Sequence, residues 1–134
     1  MPIHGDGNQN VDPVNLKDVC DCIHRLLFSP DESWNQTYNV GSGRSISINE
    51  LADVYVEAAV QMGLKALDKS YVEVPKRFRP YCLDVSKARE KLDWAPSTPI
   101  EEGVIELLQD YLKSHPCLRQ KMVARAEGTF GHLP

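Results

Sequence analysis

Several parts of the chain place apolar residues at helical spacing, with polar turns between them. The first such part begins near Asp18, a predicted N-cap, because short acidic side chains accept the free N–H groups of a helix start. Its apolar positions, three or four residues apart on one face, are Val19, Cys22, Ile23, Leu26 and Leu27. Ser29-Pro30 is expected to end this helix, since proline has no N–H to donate.

The second helix has the clearer start signal. Ser47 and Glu50 have the spacing of a capping box, in which the hydroxyl and the carboxylate each accept a backbone N–H at the helix start. Gly63 is placed to end this helix. The apolar face between them consists of Leu51, Val54, Tyr55, Ala58 and Met62.

Two more helices are predicted in the second half of the chain. Residues 84–92 have the pattern of a two-turn helix with Ser86 as its cap. Thr98 supplies a cap hydroxyl, with proline at the first helical position and glutamate at the third. The helix that follows is predicted to end at His115-Pro116. Its apolar positions are Ile100, Val104, Leu107, Leu108, Tyr111 and Leu112.

Strand candidates are few and short. Residues 11–16, 37–40 and 71–74 have strand-like composition, and Pro13 places the first of them at an edge. Helices interleaved with short strands indicate an α/β or α+β fold. Strands this few and this short cannot close a sheet of their own, which is a sign that the chain is part of a larger structure. Residues 1–114 are predicted to form one unit, and residues 115–134 a poorly ordered tail.

Composition excludes several classes of protein. The 134 residues include 15 Lys and Arg against 19 Asp and Glu, and the net charge of -4 argues against a nucleic-acid-binding surface. No apolar run approaches the roughly 20 residues of a membrane span. The first residues lack the basic and apolar stretches of a signal peptide, so a cytoplasmic location is the expectation.

The cysteines and histidines indicate neither a metal site nor disulfide bonds. Cys20, Cys22, Cys82 and Cys117 form no Cys-x-x-Cys pair, and the four histidines are scattered. A structural zinc site needs ligands in tighter clusters. We therefore expect free cysteines, either buried as small apolar residues or exposed as inert thiols.

Two loops have the composition of anion-binding sites. Gly41-Ser42-Gly43 resembles a phosphate-binding loop but does not continue as G-x-G-x-x-G, so a tight turn with positive φ is the favoured interpretation. Lys76-Arg77-Phe78-Arg79 offers guanidinium groups that match phosphate oxygens, although the spacing alone favours a solvated basic loop.

Taken in chain order, four motifs resemble the C-terminal portion of the extended short-chain dehydrogenase/reductase family, of the NAD-dependent epimerase/dehydratase type. Residues 5–19 are similar to G-D-G-x-Q-x-R-D-F-V-H-V-x-D-V. Residues 38–43 and 47–52 resemble Y-N-V-G-S-G and S-x-N-E-L-A. Residues 83–96 resemble D-x-S-K-A-x-x-x-L-G-W-x-P, and residues 100–103 match the start of the last helix. Each motif alone is weak, but their common order is specific.

The resemblance implies a partial Rossmann-type α/β protein, with helices and a few short strands. The family binds NAD(P) on an N-terminal Rossmann domain and uses Ser or Thr, Tyr and Lys upstream of the matched region. Only four residues precede Gly5, whereas a βαβ unit takes about 30. No Tyr here is followed four residues later by Lys. We therefore expect the substrate-binding half of a nucleotide-sugar epimerase or dehydratase, which by itself binds no cofactor and is not catalytically competent.

The resemblance also suggests which residues contact substrate. The family commonly has an Arg that contacts the nucleotide diphosphate where this chain has Val11, so a non-nucleotide substrate stays open. A second phosphate-binding Arg of the family precedes the D-x-S-K-A motif, and either Arg77 or Arg79 is its counterpart. The candidate substrate contacts are Arg79, Arg77 and Asn15. Asn39 and Gly41 are expected to shape the neighbouring turn.

Two other interpretations stay open. The chain could be a small non-catalytic binding module, or a truncated gene product. The expected partners are a nucleotide sugar or related small molecule, and a Rossmann-type partner or the chain's own missing N-terminal half. Such a partner would cover strand edges that otherwise invite aggregation.

Overall fold

Four helices and four short strands make up the fold in the computed structural model, which describes residues 1–74 and 79–117. The helices are α1 (Leu16–Leu27), α2 (Ile48–Gln61), α3 (Ser86–Leu92) and α4 (Ile100–Ser114), with a single 3-10 turn at Asp31–Ser33. The strands are β1 (Pro2–His4), β2 (Asn10–Val11), β3 (Ile46–Ser47) and β4 (Ser70–Val72). The predicted partial α/β fold is confirmed. The predicted tail lies outside the described residues from position 118 onward.

The strands form two separate two-stranded sheets. β1 and β4 are parallel, with Ile3 opposite Tyr71, and β2 and β3 are antiparallel, with Val11 opposite Ile46. The strand predicted at 71–74 is confirmed apart from its ends, whereas the one predicted at 11–16 is reduced to the two residues of β2. The sequence pattern did not predict β1, which is too short to show a periodicity.

The first helix begins earlier than predicted. Asn15 is its N-cap, and the Asn15 Oδ1 accepts the N–H of Lys17 at 2.8 Å. The prediction of Asp18 as the cap is therefore wrong: Asp18 lies within the first turn and is buried. Asn15 has extended backbone angles, and its side chain already accepts the free N–H of Lys17. The N-cap therefore lies three residues before Asp18.

The capping box of α2 is confirmed. The Ser47 Oγ accepts the N–H of Glu50 at 3.1 Å, and the Glu50 carboxylate accepts the N–H of Ser47 at 2.8 Å. Gly63, with φ of +75°, follows the end of the helix as predicted.

The caps of α3 and α4 differ from the prediction. Ser86 is the first residue of α3 rather than its cap, and the carboxylate of Asp84 accepts the Ser86 N–H at 2.9 Å. Thr98 does not cap α4, since it lies one residue before the N-cap position, and its backbone N–H donates to the carboxylate of Asp18 at 3.1 Å. Pro99 takes the cap position without a side-chain hydrogen bond.

The predicted strand at 37–40 is not a strand in the part of the chain that the structure describes. Tyr38 and Val40 instead pack against the main apolar cluster, together with Leu26 and Leu83. The buried members of that cluster are Cys22, Val85, Ala88, Leu92 and Trp94. A strand needs a neighbour to pair with, and no described segment lies beside these residues as a strand.

No helix within residues 1–74 and 79–117 is both long enough and apolar enough to cross a bilayer. The two longest helices, α2 and α4, pack against each other instead. Each buries one stripe, with Ala52 and Ala58 on α2 and Val104 and Leu112 on α4. This pairing of two amphipathic faces forms the second part of the interior.

Candidate functional site

A buried carboxylate joins three segments next to the predicted substrate loop. Asp12 follows β2 and is only 6% exposed. Its Oδ1 accepts the backbone N–H of Ser42 at 2.7 Å and the Ser42 hydroxyl at 2.5 Å. Its Oδ2 accepts the N–H of Leu83 at 2.8 Å and that of Gly43 at 3.2 Å. Asp12 therefore connects the end of β2, the turn at Gly41-Ser42-Gly43 and the segment that leads into α3.

These bonds fix the protonation state of Asp12. Burial raises the pKa of the carboxyl, but the bonds from Ser42, Leu83 and Gly43 more than offset this effect. The pKa of Asp12 therefore lies below its ordinary value, and the group is ionised at neutral pH. A charged acceptor makes stronger hydrogen bonds than a neutral one.

The glycine turn is a structural turn rather than an anion site. Gly43 has φ of +67°, as predicted for a tight turn. A Cβ on Gly41 would lie 2.8 Å from the Asp12 Oδ2 and 3.0 Å from a Leu83 methyl carbon, so only glycine fits there. The N–H groups of Ser42 and Gly43, which a phosphate would need, already donate to Asp12. This turn does not fit a dinucleotide phosphate.

Of the two arginines predicted to contact substrate, only Arg79 lies within the described residues. Arg77, with Lys76 and Phe78, lies outside the described residues, whereas Arg79 is described and exposed. Beyond Arg79 the chain runs alongside β2, because the Tyr81 N–H donates to the carbonyl of Asn10 at 3.4 Å. The Leu83–Asp12 bond follows two residues later. Arg79 thus begins the segment of residues 79–83, named here the Arg79 segment. Hydrogen bonds from the N–H groups of Tyr81 and Leu83 hold this segment in place.

Asn15 lies away from that segment, at the junction of α1 and α4. Its Oδ1 is committed to the cap of α1, and its Nδ2 lies only 2.7 Å from where a Cβ on Gly103 would be. Gly103 is therefore required for α4 to approach Asn15. Among the described residues, no hydrogen bond or ion pair joins Asn15 to Arg79.

Asn39 and Gly41 lie where the turn meets the start of α3. The Asn39 Nδ2 donates to the carbonyl of Asp84 at 3.0 Å. This bond and the close fit at Gly41 hold the turn against the segment that carries Leu83.

Asp18 is a second buried carboxylate, whose role the sequence did not reveal. It is 4% exposed and accepts the N–H and hydroxyl of Ser97, at 3.1 and 2.9 Å, and the N–H of Thr98. Burial raises the pKa of Asp18, but these bonds outweigh it, and the net shift is downward. An acidic residue within the apolar stripe of a helix is the signal that would have suggested such a role.

The first glycine motif is also structural. Gly5 and Gly7 have φ of +87° and +74°, and a Cβ on Gly7 would lie 2.2 Å from the Asn49 Oδ1. The Asn49 side chain donates to the carbonyl of Asp6 at 3.1 Å and accepts the hydroxyl of Tyr71 at 3.1 Å. The turn is thereby held against the start of α2 and β4.

Two features of the described part of the chain are exposed or unpaired. On α1, the side chains of Leu16, Ile23 and Leu27 are 75%, 53% and 57% exposed. After α1, residues 37–40 belong to no helix or strand, and none of their backbone N–H groups donates to another described residue. These two features, named here the open face, resemble the unpaired edge of a larger structure.

Comparison with known proteins finds a matching family profile and individual relatives. A family profile described as GDP-mannose 4,6 dehydratase matches residues 1–107. The dTDP-glucose 4,6-dehydratase of Xanthomonas campestris pv. campestris is 28% identical over 119 residues, covering 84% of this chain and 33% of that protein.

Two solved structures, of an epimerase and of a dehydratase, are similar to this chain in both sequence and fold. UDP-glucose 4-epimerase from Thermotoga maritima, solved with UDP-glucose, is 31% identical with a TM-score of 0.70, over 85% of this chain and 35% of that one. The dTDP-glucose 4,6-dehydratase from Bacillus anthracis, solved with NAD, is 25% identical with a TM-score of 0.72, over 87% and 35%. The chain spans a quarter to a third of the curated relatives it matches, between 24% and 33%.

Proposed function

Because the chain belongs to the GDP-mannose 4,6-dehydratase family, we propose that it is the substrate-binding part of an NAD(P)-dependent nucleotide-sugar epimerase or dehydratase. The observation that carries this proposal is the family match over residues 1–107, which corresponds to about a third of the solved relatives. The chemistry of the reaction is assigned to residues outside this match. The role of this part is to hold the sugar nucleotide in place, which by itself supplies much of the rate of such reactions.

The described residues do not fit a dinucleotide cofactor. The sequence has no G-x-x-G-x-x-G turn, and the N–H groups of the Gly41–Gly43 turn donate to Asp12. No Tyr is followed four residues later by Lys, the pair that the family uses for proton transfer. We therefore assign NAD(P) binding and proton transfer to another part of the enzyme and derive no step through the cofactor.

The open face supports a partner that completes the fold. Tyr38 and Val40 are already packed on the apolar cluster, and the Thr37 carbonyl accepts from the Lys87 Nζ at 3.0 Å, so residues 37–40 are held in place. Their backbone N–H groups donate to no other described residue. Leu16, Ile23 and Leu27 of α1 are exposed as well. A Rossmann-type sheet edge with its own helix would cover both, whether it belongs to the same polypeptide or to another one.

Arg79, Arg77 and Asn15 are proposed as the substrate contacts. A guanidinium matches diphosphate oxygens in pairs, and Arg79 is exposed at the start of the segment that Asp12 holds. Val11 provides no charge where the family commonly has an arginine. Binding of the diphosphate therefore depends more on the loop that carries Arg77 and Arg79. Asn15 has its Nδ2 to offer, because its oxygen is used by the cap of α1.

Calorimetric titration of the purified chain tests the proposal. We expect UDP-glucose, used as the probe, to bind in the millimolar to high micromolar range and NAD not to bind. Arg79→Ala should weaken UDP-glucose binding by about tenfold, the value of one charge-assisted contact. Arg89→Ala, which removes an exposed arginine of α3, is the matched control and should leave the affinity within about twofold. Micromolar binding of NAD by this chain alone, or equal losses in both variants, would contradict the proposal.

A further inference from the structure

Few residues separate Arg79 from Leu83, the residue that Asp12 holds, and their backbone is restricted. Leu83 donates its N–H to Asp12, and Tyr81 donates its N–H to Asn10, the residue at the start of β2. Pro80 lies between Tyr81 and Arg79. Proline fixes its own φ and restricts the residue before it to extended conformations. The backbone position of Arg79 therefore follows from where Tyr81 and Leu83 are held.

Asp12 is the stronger of the two anchors. Its bond to Leu83 is 2.8 Å long and charge-assisted, whereas the bond between Tyr81 and Asn10 is 3.4 Å long and neutral. The absence of a side chain at Gly41 lets Leu83 and the carboxylate meet there. Ser42 fixes the carboxylate with two bonds, so the oxygen that Leu83 needs cannot rotate away.

We propose that Asp12 is a positioning residue, which holds the segment carrying Arg79 so that its guanidinium meets the diphosphate of a nucleotide sugar. The role in binding rests on the proposed function. We assign Asp12 no contact with the substrate, because within the described residues its carboxylate binds Ser42, Gly43 and Leu83.

Asp18 supplies a matched control for the experiment. Both residues are buried aspartates that accept a serine N–H, that serine's hydroxyl and another backbone N–H. Asp18, however, ties α1 to residues 97–98 and has no bond to the Arg79 segment. Asp12→Asn and Asp18→Asn therefore make the same chemical change, and only the first lies on the route to Arg79.

The first measurement is amide hydrogen exchange by NMR on the full chain, which needs no ligand. Asp12→Asn should speed exchange of the Leu83 amide about tenfold more than the change in global stability explains. Asp18→Asn should change the exchange rate of the Leu83 amide no more than its effect on global stability explains. If Asp12→Asn fails to fold, Ser42→Ala, which removes one donor to the carboxylate, should raise Leu83 exchange about threefold. Unchanged Leu83 exchange, or equal effects of both aspartate variants, overturns the proposal.

The second measurement is a double-mutant cycle on UDP-glucose affinity. Asp12→Asn should weaken binding about tenfold in the wild-type background and have no further effect after Arg79→Ala, because it acts through that side chain. An equal loss in both backgrounds shows a general structural effect and overturns the positioning role. If the wild-type chain binds no UDP-glucose, the proposed function fails, while the exchange at Leu83 still decides whether Asp12 holds the segment.

Discussion

Replacing Asp18 by asparagine should destabilise the fold more than any other single-atom change on α1. The carboxylate is buried where α1 meets the start of α4, and three donors from Ser97 and Thr98 converge on it. Trp94, which is fully buried, donates its indole N–H to the carbonyl of Asp18 at 2.9 Å. The substitution keeps the size of the side chain, so it removes charge and one acceptor without creating a cavity.

The magnitude follows from the bonds that are lost. The asparagine oxygen can keep the two donors from Ser97, but its NH2 group would face the N–H of Thr98, donor against donor. One charge-assisted bond is then lost, at about 1.5–3 kcal/mol, and the remaining two become neutral and weaker. We expect a loss of about 2–4 kcal/mol from a domain whose whole stability is about 5–15 kcal/mol.

Urea unfolding followed by tryptophan fluorescence measures this loss, with Asp21→Asn as the control. Asp21 lies on the same helix, is half exposed and pairs with Arg25 at 2.8 Å, so its substitution should cost less than about 1 kcal/mol. The two variants make the same chemical change on one helix and differ in burial. A loss under about 0.5 kcal/mol for Asp18→Asn at pH 7, or equal losses for both, would refute the reasoning.

The pH dependence provides a second check on Asp18. Burial raises the pKa of Asp18, but the hydrogen bonds from Ser97 and Thr98 lower it by a larger amount. The pKa in the folded state therefore lies below the value in the unfolded state. A carboxyl with a lowered folded pKa contributes its full stability above the unfolded pKa of about 3.9 and loses it as the pH falls through the folded pKa. The stability difference between wild type and Asp18→Asn should therefore be complete at pH 7 and narrow below about pH 4. A constant difference down to pH 2.5 would show that the charge of Asp18 contributes nothing.

Three further predictions concern other parts of the fold. Ser47→Ala removes the cap of α2 and should cost about 1 kcal/mol, measured by thermal unfolding; an unchanged Tm would mean that the capping box contributes nothing. Gly41→Ala should cost about 1–3 kcal/mol, because the new Cβ would lie 2.8 Å from Asp12, and wild-type stability would show that the turn relaxes freely. Ile23→Ser with Leu27→Ser should change the free energy of unfolding by less than about 1 kcal/mol in urea, because both side chains are more than half exposed; a loss above about 2 kcal/mol would show that they are packed in solution.

Local signals in the sequence predicted the helices well. The capping box at Ser47 and Glu50 involves residues three positions apart, so its geometry is contained in a short stretch of sequence. The end of α2 near Gly63 is equally local. The family resemblance, which rests on the order of four motifs, predicted the partial α/β fold.

The prediction failed where the partner of a residue lies far along the chain. Asp18 looked like a cap because its sequence neighbours allow one, but its carboxylate binds residues about 80 positions later. Residues 37–40 have strand propensity, yet a strand exists only when another strand lies beside it. The position of Arg79 also depends on such distant contacts, those of Tyr81 and Leu83, and the sequence could only name Arg77 and Arg79 as candidates.

Asp12 and Asp18 together explain how so little sheet can organise this chain. An isolated pair of short strands is only marginally stable, and both sheets here have two strands. A buried carboxylate can accept about four hydrogen bonds, so one aspartate can hold a turn and a loop that would otherwise need a third strand. Because all these donors belong to loops, changes at Asp12 or Asp18 should move loops and leave α2 in place, since among the described residues neither carboxylate is hydrogen-bonded to α2.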